Sequence, residues 1–116
     1  MKLFILITGI GELLVGLLML IKPSLIPQYA KASALVRSTA RMYGAAAITI
    51  GVFALMVGFN FSEVAWHEPF LTVYLAFHTL VALSVLIAKQ SKEPADSKIG
   101  ILHLVLAVVT AYFLFL

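Results

Sequence analysis

Cysteine is absent from this 116-residue chain. Its absence excludes disulfides, thiolate nucleophiles, Cys-ligated zinc and iron–sulfur clusters, and it leaves the redox compartment open. Charge is scarce as well. Asp, Glu, Lys and Arg make up 11% of the residues, less than half of the ~25% usual in soluble domains. Too few polar residues remain to cover a soluble body, and the 63% hydrophobic content places the chain among membrane proteins. Acidic residues are scarcer than basic ones, 5 against 8 Lys and Arg, for a net charge of +3. The basic residues stand beside apolar segments rather than on one soluble face, so the surplus reads as membrane topology and not as nucleic-acid binding. Phosphate-loop, serine-nucleophile and metalloprotease motifs are missing too. No catalytic residue is assigned, and a non-enzymatic role is favoured.

What is there in quantity is long apolar runs. Four spanning segments are expected, at about 3–21, 42–59, 69–88 and 99–116, each near the ~20 residues that cross a hydrocarbon core of ~30 Å. The runs are continuous rather than alternating, which argues against membrane strands. The fold class is therefore all-α: a polytopic membrane protein with an antiparallel four-transmembrane-helix bundle in a single domain, 1–116. The first run lacks a small-x-small cleavage site and holds a carboxyl, so it is expected to be retained rather than removed as a signal peptide. Pro23 and Pro27 open a polar-leaning stretch, 22–40, read as an interfacial segment or a helical extension of the second span. Gly44, Gly51 and Gly58 recur every seven residues, so they share one helix face and predict a packing stripe, within the bundle or across a homodimer. Trp66 and Pro69 mark the start of the third span, and Lys89 to Lys98, with Pro94, forms a polar hairpin loop.

Orientation follows from the basic residues. Lys22, Lys31, Arg37, Arg41, Lys89, Lys92 and Lys98 flank one side, while Glu63 and Glu68 lie in the loop on the other. The positive-inside rule puts the first and third loops in the cytoplasm and both termini outside it.

The candidate site begins with Glu12, a lone carboxyl near the middle of the first span. Intramembrane ionisable groups are costly and are tied to a partner or a task. Counting 1.5 Å per residue, Glu12 and His78 each lie ~14 Å deep from the outer side, whereas His103 lies only ~6 Å from the cytoplasmic side. The level pair Glu12 and His78, with Thr8 and Tyr74 one turn away on the respective faces, is the expected ligand-binding or proton-linked cluster. Arg41 and His103 are expected to form a second polar layer nearer the cytoplasm. A buried acid bonded to one neighbour also serves purely to fix helix register, and that reading of Glu12 has equal standing. An ~8 Å offset between the two histidines argues against bis-histidine haem. One intramembrane Glu does not supply a carboxylate-bridged di-metal centre, so no metal is predicted.

Gly9-x-Gly11-Glu12 with Gly16, then Lys22-Pro23, then Ala40-Arg41-Met42-Tyr43-Gly44 leading into the glycine-spaced span, resembles the DoxX-like group of small four-helix bacterial membrane proteins. The resemblance covers most of the chain. It implies the bacterial inner membrane and, from some members, an accessory role to quinone-linked oxidoreductases, which makes a quinone the cofactor to consider. The plan is also similar to that of the small multidrug transporters, in which a Glu of the first span exchanges protons for cationic drugs. Glu12 matches that Glu by position. The family's small-residue pattern in the first span and its Trp within a spanning helix are not reproduced, since Trp66 lies in a loop.

Three functions follow as expectations. The first is a bundle that binds a lipophilic ligand or a partner membrane subunit around Glu12 and His78. The second is a proton-coupled exporter using Glu12 as the exchanging acid, and the third is a quinone-linked redox accessory subunit.

Overall fold

The first run becomes helix because nothing in Lys2–Ile21 breaks one, and Pro23 ends it by removing a donor. In the structure, a computed structural model that describes residues 1–91 and 96–116, this run is α1 (Lys2–Ile21). Two short 3-10 turns follow, Pro23–Leu25 and Pro27–Tyr29, each with proline at its start. Helix α2 then runs from Ala34 to Phe59. It starts well before Met42 because Ser33, extended at the N-cap, accepts a hydrogen bond from the Val36 amide at 3.3 Å, satisfying one of the donors a helix start leaves over. A third 3-10 turn, Val64–Trp66, leads into α3 (His67–Gln90), and α4 spans Ser97–Phe115. Asp96 caps α4 by accepting from the Lys98 amide at 2.8 Å. Glu68 in the first turn of α3 and Lys89 in its last both complement the helix dipole.

All four helices are long and apolar enough to cross a membrane, and no strand occurs among the described residues. The chain is an all-α, membrane-embedded protein with four spanning helices. The expected turn at Pro94 and the Lys92 charge lie outside the described residues.

The chain divides into two helical hairpins, Met1–Glu63 and Val64–Leu116. In the first, the buried positions of α1 are Ile5, Gly9, Glu12, Gly16 and Met19, and those of α2 include Ala40, Gly44, Ala47, Gly51 and Ala54. Both runs step by four and three residues alternately, the 3.5-residue period of helices that pack along a supercoiled seam. The seam is very close. A Cβ added to Gly44 would lie 2.7 Å from the Gly16 carbonyl oxygen and 2.8 Å from the Leu20 amide nitrogen. One added to Gly16 would lie 2.8 Å from the Gly44 carbonyl oxygen, and one added to Gly51 2.8 Å from that of Gly9. Gly58 meets Leu6 instead. Absent side chains let the two backbones touch, which supplies dispersion contact where apolar surroundings give no hydrophobic drive. The sequence stripe on α2 thus has glycine counterparts, Gly9 and Gly16, on α1.

In the second hairpin the close approach is Gly100 of α4 against Val85 of α3. At the end where α3 leads into α4 the Lys89 ammonium donates to the Ser97 hydroxyl at 2.7 Å. These two contacts set the antiparallel register that positions the histidines.

Candidate functional site

Each hairpin buries polar groups of its own. In the first, Glu12 occupies a place in the α1 seam between Gly9 and Gly16 and is only 8% exposed. The Tyr43 phenol of α2 lies within electrostatic range of the Glu12 carboxyl. Tyr43 entered the sequence argument only as part of the stretch before Gly44. Its sole signal there was being an aromatic hydroxyl one residue from the glycine that meets α1. Thr8 is half-buried and spends its hydroxyl on its own helix, donating to the Phe4 carbonyl at 2.8 Å.

Arg41 also belongs to the first hairpin. Its Nε donates to the Leu20 carbonyl at 3.2 Å, one of the acceptors left over in the last turn of α1. The neighbouring Arg37 guanidinium donates to the Ala32 carbonyl at the entry of α2. Both cations therefore close helix ends on the side where the first loop lies, a use of cations the helix dipole favours at α1.

The second hairpin carries the densest polar group. Phe70, Tyr74 and His78 follow each other at four-residue steps on α3 and are all fully buried. Phe70 stacks on Tyr74 with ring centroids 5.0 Å apart, and Tyr74 meets His78 edge-on at 4.3 Å. His103 of α4, also buried, sets its Nδ1 2.7 Å from the Nδ1 of His78. Phe77 flanks both imidazoles, 5.2 Å from His78 and 6.0 Å from His103 between centroids. Thr110, two turns further along α4 and fully buried, donates to the Leu106 carbonyl at 2.7 Å.

The meeting of His78 and His103 corrects the depth count, which kept them ~8 Å apart. That count measured each histidine from an assumed membrane boundary. The hairpin register is what decides, and it pairs Gly100 with Val85. Three residues further along α4, His103 stands opposite Ala82, one turn or ~6 Å from His78, and the two side chains close that gap. His103 accordingly pairs with His78 of its own hairpin, and Arg41 with the end of α1.

Two neutral imidazoles 2.7 Å apart through like nitrogens must be opposite tautomers. One carries its proton on Nδ1 and donates, and the other keeps its Nδ1 lone pair and accepts. Protons and electron pairs are thus both on offer in an apolar setting, a suitable arrangement for holding a polar headgroup or passing a proton. No family model, curated protein or solved structure matches the chain.

Proposed function

We propose that the protein binds a lipophilic ligand, or docks a partner membrane subunit, through the polar groups its spans bury, Glu12 and His78 foremost. The carrying observation is the buried His78–His103 pair with Tyr74 and Phe77 around it. Interior polar side chains are expensive in a spanning helix, and an aromatic-lined polar spot is how small-molecule sites fix an otherwise apolar ligand. Glu12 adds an ionisable group of the same kind in the first hairpin. The proposed setting is a bacterial inner membrane, with both termini extracytoplasmic, supported by the basic residues of the first and third loops.

One observation favours a second reading, a quinone-linked accessory subunit. A quinone headgroup offers two carbonyl acceptors and a flat ring, and the second hairpin brings imidazoles, a phenol and Phe77 together. The DoxX-like resemblance points the same way.

Mass spectrometry of the full chain released intact from mild detergent tests both. The expected result is an added apolar mass, or a second polypeptide, on the unsubstituted protein and its loss in His78→Leu. Quinone absorbance in the extracted ligand selects the second reading. A bare chain mass for the unsubstituted protein refutes ligand and partner binding together.

A further inference from the structure

The two histidines converge on one point through the same nitrogen. We propose that His78 and His103 form a two-imidazole site for copper(I). The inference goes beyond the lipophilic-ligand reading and does not depend on it. Neutral imidazole nitrogen is a ligand for copper and zinc, and these two Nδ1 atoms, from different helices, already lie 2.7 Å apart. Metal–nitrogen bonds of ~2 Å would set them ~3 to 4 Å apart, depending on the angle at the metal. Small rotations of two side chains supply that opening.

Ligand count and charge select the ion. The second hairpin aims two nitrogens at the point, and the chain holds no thiolate. Zinc asks for four ligands, whereas copper(I) is content with two. A monovalent ion also carries half the charge of zinc(II) into an apolar interior, where burying charge is the main cost.

The binding step balances without loss of a proton. The ion takes the Nδ1 lone pair of the accepting ring directly. On the donating ring the proton moves from Nδ1 to Nε2, which frees the second lone pair. Both rings stay neutral, and the complex gains one positive charge from the ion alone.

The test uses the full chain in detergent micelles, with copper(I) alone as the probe, supplied without oxygen from a coloured competing chelator. One equivalent is expected to bind, without proton release. His78→Gln and His103→Gln should each weaken binding by at least about 100-fold, and His67→Gln, outside the pair, should leave it unchanged. X-ray absorption of the unsubstituted protein should show two nitrogen neighbours with imidazole outer scattering, a readout that stands even if a variant fails to fold. Sulfur neighbours, affinity indifferent to both substitutions, or zinc(II) held as tightly as copper(I) would each overturn the assignment.

Discussion

Replacing Gly44 by alanine adds one methyl group where the α1 and α2 backbones touch. That methyl carbon would lie 2.7 Å from the Gly16 carbonyl oxygen, 2.8 Å from the Leu20 nitrogen and 3.0 Å from the Met19 Cβ. Two of the three are backbone atoms and cannot rotate away. Comfortable contact begins near ~3.5 Å, so the helices must part locally by roughly 0.8 Å. Parting them also loosens the neighbouring contacts at Gly16 and Gly51, since all lie along one seam. Overpacking of this kind costs ~1–3 kcal/mol, while alanine returns up to ~1 kcal/mol of helix propensity. The expected net loss is about 1–2 kcal/mol. Gly11 is the internal control, because a Cβ there meets nothing within 4 Å. Gly11→Ala should therefore be neutral or slightly stabilising. Gly58→Ala should fall between the two, because its clash is with the Leu6 side chain, which can change rotamer. Helicity followed through titration of native micelles with a denaturing detergent reads all three. The reasoning fails if Gly44→Ala unfolds at the same point as Gly11→Ala.

The His78–His103 hydrogen bond should appear as a coupling in a double-mutant cycle. Each single change to leucine strands a buried imidazole, at about 1–3 kcal/mol, and the double change should cost less than the sum by ~0.5–3 kcal/mol; strict additivity in the same detergent titration counts against the bond. The lack of native cysteine makes orientation directly measurable. Cysteines introduced at Lys31 and at Glu63, both exposed, should react with an impermeant thiol reagent from opposite faces of sealed vesicles, the Glu63 position from the extracytoplasmic side. Labelling of both from one side would remove the proposed topology.

Much of the fold could be read in the residues. The four helices follow from apolar length, and their ends from Pro23, Pro27, Ser33 and Asp96, because these effects act within one turn of chain. Glu12 was visible as an anomaly for the same local reason. Half of the glycine seam was legible as well, since Gly44, Gly51 and Gly58 share a seven-residue period. Gly9 and Gly16 keep that same period on α1, yet only packing identifies them as the other half.

The histidine pair was not legible, and the reason is geometric. Composition and length determined by themselves that this chain is a helical membrane protein with polar groups placed inside its spans. Whether His103 stands beside His78 depends on how α4 slides along α3, a shift that side-chain contacts such as Gly100 against Val85 fix and that residue counts from a presumed boundary do not contain. Only the tertiary structure carries that register, and with it the 2.7 Å approach of two imidazoles on which the site's chemistry rests.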